Sequence, residues 1–185
     1  RRQRQMCIRD RYDSLLEVGV IPVGIETYAN SRRLEKCFRL QGADLETEYN
    51  AIEAAIQRPL VKEADFHGKF AHLAHRKEDP CAILCTMTLD DLNVSGKTRY
   101  PVGISPIIDP ATGEVPIDSK GRRSYTTGMS YCPSIKKFVA MGYLPKQIAF
   151  KGKSLLIEYF NEDGDGLYPM TCLLYTSDAA DDLLC

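Results

Sequence analysis

The 185-residue sequence predicts an α+β chain, helical before Pro80 and built from short antiparallel strands after it. Three observations predict this. Before Pro80, apolar residues recur at helical spacing between recognisable start and stop signals. After Pro80 the period shortens to two, in short runs separated by Pro, Gly, Asp and Asn. The charge is nearly balanced, 24 Lys and Arg against 25 Asp and Glu, and 44% of residues are hydrophobic, which suits a globular core. Such a balance favours no nucleic-acid partner, and no apolar run approaches the ~20 residues of a membrane span.

The two ends stand apart. Arg1–Asp10 reads RRQRQMCIRD and Cys172–Asp181 reads CLLYTSDAAD. One DNA segment, read in its two orientations, encodes both, and that segment resembles a transposase adaptor used to fragment DNA for sequencing. Residues 1–11 and 172–185 are therefore expected to be adaptor-derived tails and are set aside from fold reasoning. Arg1, Arg2, Arg4, Arg9 and Arg11 then argue for neither a transit peptide nor a nucleic-acid arm. The rest divides near Arg76–Pro80 into residues 12–79 and residues 80–171.

Taken in order, Tyr12 to Val18 forms an amphipathic helix stopped by Gly19. A second helix follows Gly24 through IETYANSRRLEKC. Asn50 and Glu53 make a capping-box pattern for a third, with Ile52 and Ile56 on one side and Pro59 ending the run. Asp65 is placed to cap a fourth, whose Phe66, Phe70 and Leu73 line one face. Beyond Pro80, CAILCTMTL, RYPVGISPII, RRSYTTG, KFVAMGYL and SLLIEYF read as strands of a small barrel or sandwich. The stretch DPATGEVPIDSKGRR reads as a loop or hairpin excursion between two of them.

Few of the reactive residues form a chemical constellation. On a strand, Cys81 and Cys85 share a face but lie roughly 13 Å apart, too far for a disulfide, and their spacing is not the C-x2-C of a zinc site. Together with Cys37 and Cys132 they read as buried free thiols in a reducing compartment. His72 and His75 are helical neighbours, yet they fall opposite the Phe66–Phe70–Leu73 face and read as surface histidines, as does His67. NEDGDG, Asn161–Gly166, matches half a calcium loop but follows a strand, and reads as a solvated hairpin turn. Glu53 is occupied as the acceptor of a capping box, and Arg33 and Glu35, two apart, point in different directions on a helix. Nucleophile–base pairs and phosphate-binding glycine loops are missing from the pattern.

A more specific signal lies in ANSRRLEKCFRLQGADLETEYNAIEAAI. It resembles S-L-R-L-E-K/A-G-Y/F-x-x-W/Y-G-x-D/E-L followed by T-P-x-E-A-G-L, a stretch of the glycine-cleavage T-protein (aminomethyltransferase) family. That family includes the C-terminal halves of dimethylglycine and sarcosine dehydrogenases. Ser31, Arg33, Leu34, Glu35, Gly42, Asp44, Leu45, Glu53 and Ala54 match. Downstream, SYTTGMSYCPSIKKFVAMGYLP resembles the family's T-S-G-x-x-x-P-S-L-x-K-x-[IV]-A-[LM]-[AG]-Y-[VL]-P through Thr126, Gly128, Pro133, Ser134, Lys137, Ala140, Tyr143 and Pro145.

The resemblance implies the C-terminal part of the aminomethyltransferase folate-binding fold followed by a small antiparallel β-barrel domain. It implies a tetrahydrofolate-dependent one-carbon transfer enzyme. Lys36 and the long Asp109–Gly128 stretch resemble the flavin-linked dehydrogenase branch, in which FAD occupies a separate upstream domain. The alternatives are a free-standing T-protein, an O- or S-demethylase on the same scaffold, and a non-catalytic folate-binding relative. The implied partners are folate and a small methylated amine or aminomethyl carrier, with a lipoyl carrier protein in the T-protein case. The implied location is the cytoplasm, or the mitochondrial matrix in a eukaryote. The catalytic aspartate of the family lies upstream, so no catalytic or metal-binding residue is assigned here.

Cofactor-binding positions carried over from the family are Ala29, Arg33, Glu35, Glu53 and Arg58. Ala29 stands where the transferases have a folate-contacting arginine, and the dehydrogenase branch also has a small residue there. Arg58 stands where some members have a pocket tryptophan. Cys37 and Ala55 replace family glycines.

Overall fold

The structure, a computed structural model, describes residues 2–89, 103–161 and 164–173. Its elements are α1 (Arg2–Glu17), a π-helical turn (Thr27–Ser31) running into α2 (Arg32–Glu35), α3 (Lys69–His75), and six strands. These are β1 (Ala82–Leu89), β2 (Ile107–Ile108), β3 (Thr126–Cys132), β4 (Lys137–Pro145), β5 (Ser154–Asn161) and β6 (Gly164–Cys172). Among the described residues no helix is long and apolar enough to cross a membrane.

All six strands join one antiparallel sheet in the order β2-β5-β6-β1-β4-β3. The sheet curls until its outer strands meet. Ile107 pairs with Ile157 of β5 on one side, while on the other its N–H donates to the Ser124 carbonyl at 3.2 Å. Thr126 N–H donates to Ser105 at 2.9 Å, so neighbouring backbone also bridges the two edges. Gly142 in β4 makes the closure possible. A Cβ there would stand 2.6 Å from the Tyr125 carbonyl oxygen and 2.9 Å from Ile107 Cδ1.

Strand alternation sends the two faces of the sheet into two cores. Cys85, Met87 and Leu89 of β1 join Phe138, Ala140, Ile157 and Met170 inside the curl, with Ile83 packed against them. The other parity, Ala82 and Leu84 with Val139, Met141 and Tyr143, packs under Leu34 and Ala54 from the preceding segment. This second core crosses the expected division near Pro80. Cys81 precedes β1 and is only partly buried, whereas Cys37, Cys85 and Cys132 are buried free thiols. Burial holds the Cys37 thiol above its usual range.

Local signals before Pro80 set the turns, while the helices are shorter than expected. The helix from Tyr12 belongs to α1, whose described side chains are exposed, and Gly19 follows it at φ 84. The capping box forms as read: Asn50 Oδ1 accepts from the N–H groups of Ile52 and Glu53 at 2.9 and 3.0 Å, and Glu53 Oε2 accepts from Asn50 N–H at 3.1 Å. Yet the turn stops at Ala55, which adopts φ 52, instead of running on to Pro59. Cys37 ends the α2 turn in the same left-handed way, at φ 52. The Arg39 guanidinium holds both ends, donating to the carbonyls of Cys37, Ala54 and Ala55 at 3.1–3.2 Å. A cation on these carbonyls satisfies groups that a helix end leaves open.

The fourth helix differs more. It begins at Lys69 behind Gly68, whose φ of 83 breaks the path from Asp65. Phe70 is 87% exposed and Leu73 36%, while His72 and His75 are half-buried, the reverse of the expected facing. His72 turns towards a groove with Ile56 and Phe66. Of the expected turn at Asn161–Gly166, residues 162–163 lie outside the described residues, while Asn161 pairs with Gly164 and Gly164–Gly166 open β6, a strand that the sequence reading omits. Cys172, assigned to the tail, closes β6 inside the first core. Arg99–Val102 of the RYPVGISPII run, and residues 174–185 of the C-terminal tail, lie outside the described residues.

Candidate functional site

The short α2 places three consecutive residues, Arg33, Leu34 and Glu35, into buried positions in three directions. Leu34 enters the second core. Arg33 reaches Asp44, whose side chain is fully buried, with Nη1 at 2.5 Å from Oδ2. The same guanidinium donates through Nε to the Ala29 carbonyl at 2.5 Å and through Nη1 to the Phe38 carbonyl at 2.8 Å. Asp44 also accepts from Leu40 N–H at 2.8 Å and from the Thr127 hydroxyl of β3, and its own carbonyl accepts from Tyr143 O–H at 2.7 Å. Gly128 leaves room for this cluster, since a Cβ there would lie 2.9 Å from Arg33 Nη2. A buried charge pair with its remaining lone pairs satisfied is a fastener, because removing one partner strands the other.

Glu35 fastens the opposite end of the sheet. Its carboxylate accepts from Ser134 N–H at 2.9 Å, from the Ser134 hydroxyl at 3.3 Å and from Arg32 Nη1 at 2.7 Å. Burial works to raise its pKa, but these donors outweigh it and hold the carboxyl below its usual range.

Glu53 is met by Arg122, which arrives from the 109–125 excursion. Arg122 Nη2 lies 2.6 Å from Oε1 and its Nε 2.7 Å from Asp118 Oδ2. The guanidinium also covers the Tyr49 ring at 4.2 Å, and Tyr49 stacks on Tyr143 with centroids 3.5 Å apart. Burial again works to raise the Glu53 and Asp118 carboxyls, and their hydrogen bonds to Arg122 and to backbone N–H groups hold both below the usual range. Burial of the Tyr49 phenol pushes its pKa up to about 12.

The five positions carried over from the family thus fall into separate places. Arg33 and Glu35 share α2, with the Ala29 carbonyl bound to Arg33. Glu53 belongs to the Arg122 cluster. Arg58 is exposed and lines the groove with Ile56, Leu60, Phe66 and His72. A different cleft, about 470 Å³, opens between the π-helical turn and β3, lined by Thr27, Asn30, Ser31, Met129, Tyr131 and Phe138. Three residues central to the geometry were not among the candidates: Asp44, Thr127 and Arg122. Asp44 carried a signal, as the acidic position of the G-x-D-L match. Arg122 carried none, since nothing in a loop sequence places it against a glutamate 69 residues earlier.

No protein-family model matches the chain. The aminomethyltransferase of Francisella tularensis subsp. tularensis is 28% identical over 159 residues, covering 82% of this chain and 40% of the relative. The aminomethyltransferase of Francisella philomiragia subsp. philomiragia matches with the same identity and coverage. The crystal structure of glycine cleavage system aminomethyltransferase T from Bartonella henselae superposes with a TM-score of 0.66 at 21% identity, over 90% of this chain and 42% of that one. The chain spans about two-fifths of the length of the curated relatives it matches. Over part of their length the chain is similar at low identity to aminomethyltransferases, and its fold, with a curled antiparallel sheet, is similar to that of the T-protein structure.

Proposed function

We propose that the chain is the C-terminal part of a tetrahydrofolate-dependent one-carbon (aminomethyl) transfer enzyme, contributing a folate-domain wall and a barrel-like end. The observation that carries this is the coincidence of motif and architecture. The SRRLE segment forms the buried α2, which binds the PSIKK segment through Glu35 and, by way of the Arg33–Asp44 pair, the TTG segment of a sheet whose fold is shared with an aminomethyltransferase.

Bound tetrahydrofolate would supply N5 and N10 to capture the one-carbon unit. The charged groups of Arg33, Glu35 and Glu53 are engaged by protein partners and do not fit direct contacts to it. In this reading they keep the wall in shape, while the turn carrying Ala29 and the exposed Arg58 are where the chain approaches folate. The reacting groups lie in the upstream part of a longer protein, and the donor is a small methylated amine or an aminomethyl carrier.

The parent is read as a dimethylglycine- or sarcosine-dehydrogenase-like flavoprotein, favoured by Lys36 and by the length of the 109–125 excursion. The second reading is a free-standing T-protein working with a lipoyl carrier, the kind of protein that the comparisons name. An upstream G-x-G-x-x-G followed by its acidic residue would select the flavoprotein.

Holding folate and the amine carbon in reacting geometry is worth ~7–11 kcal/mol, and this chain holds one wall of such a site. Joined to its upstream gene sequence, it is expected to capture formaldehyde in a folate-dependent reaction. The chain alone is expected to stay at the uncatalysed rate. Folate-dependent capture by the chain alone would place the active site wrongly.

A further inference from the structure

The 109–125 excursion between β2 and β3 is folded on itself. Asp109 pairs with Glu114 and Ile117 with Arg123, Ser124 N–H donates to the Pro116 carbonyl at 2.9 Å, and Asp118 N–H donates to the Arg122 carbonyl at 3.0 Å. At its base Lys153 Nζ binds both Asp109 oxygens, at 2.9 and 3.1 Å. Its tip reaches the capped turn at residues 46–56. Among the described residues, the hydrogen bonds and ion pairs that cross this gap come from Arg122 and Lys120. Lys120 contributes a contact of 3.7 Å from a half-exposed side chain. Arg122 makes the rest: both Glu53 oxygens, the Glu48 carbonyl and the face of Tyr49.

We infer that the excursion is a strap pinned to the capped turn chiefly by Arg122, and that withdrawing this pin loosens residues 46–56, which Arg39 still holds at the Ala54 and Ala55 carbonyls, while the sheet stays closed. The geometry separates the two events. The sheet closes through backbone bonds at Ser105, Ile107, Ser124 and Thr126, none of which involves Arg122. The capped turn instead touches the sheet backbone at a seam where Leu84 N–H donates to the Glu53 carbonyl at 2.8 Å. Tyr49 is held between the guanidinium and Tyr143, so the pin also keeps this ring over the second core. The strap is thus a conformational device independent of the folate reading above.

Amide hydrogen exchange on the full chain tests it. In Arg122→Met, which keeps an apolar stem over Tyr49 but loses the charge pair, amides of residues 50–56 should exchange at least about tenfold faster, while those inside β1 and β4 keep their rates. Arg122→Lys, a cation without the fork, should fall between Arg122→Met and the parent. Lys120→Ala should leave residues 50–56 unchanged. Equal acceleration across β1 and β4 would overturn the inference, as would no acceleration at residues 50–56 or a Lys120→Ala effect as large as that of Arg122→Met. If Arg122→Met does not fold at all, Arg122 is part of the sheet's own stability and the strap reading fails.

Discussion

Replacing Asp44 by Asn changes one atom type in a fully buried side chain and tests what holds the segment before Pro80 on the sheet. On the Oδ1 side the new amide can be accommodated. It donates to the Thr127 oxygen, and that hydroxyl retains the Met141 carbonyl, 3.3 Å away, as its own acceptor. On the Oδ2 side the amide oxygen still accepts from Leu40 N–H and Arg33, but the Arg33 guanidinium, 8% exposed, loses its counter-charge and is left with neutral acceptors, this oxygen, two backbone carbonyls and the Met141 sulfur. Breaking a buried pair from one side costs about 3–5 kcal/mol, a large share of the roughly 5–15 kcal/mol that holds a domain together. At about 2–4 °C per kcal/mol for a chain of this size, the melting temperature should fall by roughly 6–20 °C. Circular-dichroism melts of Asp44→Asn, Arg33→Met and the Arg33→Met/Asp44→Leu double variant measure it. The double variant should lose less than the sum of the singles, because it leaves no stranded charge. A loss under about 1 kcal/mol for Asp44→Asn would mean that the pair is not the fastener and would return Arg33 to the candidates for ligand contact.

Two further outcomes follow from the same contacts. Ala55 sits at φ 52, a left-handed conformation that costs an L-residue roughly 1–2 kcal/mol. Urea midpoints should therefore order Ala55→Gly at or slightly above the parent and Ala55→Val clearly below it. A Val variant as stable as the parent would refute the strain. Glu35, Glu53, Asp109 and Asp118 all have carboxyls held low. Their contribution to stability is fully present above the unfolded values, about 4.3 for Glu and 3.9 for Asp, and is lost as pH falls through the lower folded values. Unfolding followed by circular dichroism should thus be flat from about pH 7 to 5 and steepen below, with a shallower acid limb in Glu53→Gln. An unchanged acid limb in that variant would contradict the ionised Glu53–Arg122 pair.

What was legible in the sequence was local. Asn50 and Glu53 announce a capping box because both partners sit within one turn, and the structure forms every bond of it. Alternation announced β1, β4 and β5, where apolar residues recur without interruption. Strand β6 was hidden because Gly164, Gly166 and Pro169 dilute its pattern, and its pairing with β5 and β1 compensates for what its propensity lacks. The third and fourth helices were overcalled for a related reason. Periodicity cannot reveal that Ala55 and Gly68 adopt positive φ, nor that Phe70 stands exposed. The candidate positions were legible as motif matches, but their work was not. Whether a buried arginine faces a ligand or an aspartate depends on partners such as Asp44, Thr127 and Arg122, brought together only by the folded sheet.

The central claim is that this chain is one wall of a folate site completed by upstream sequence. Equilibrium dialysis of tetrahydrofolate tests it most directly, comparing the chain alone with the same chain joined to the preceding part of its gene. The account predicts saturable, stoichiometric binding by the joined protein and none by the chain alone. Saturable binding by the chain alone, or no binding by the joined protein, would contradict it.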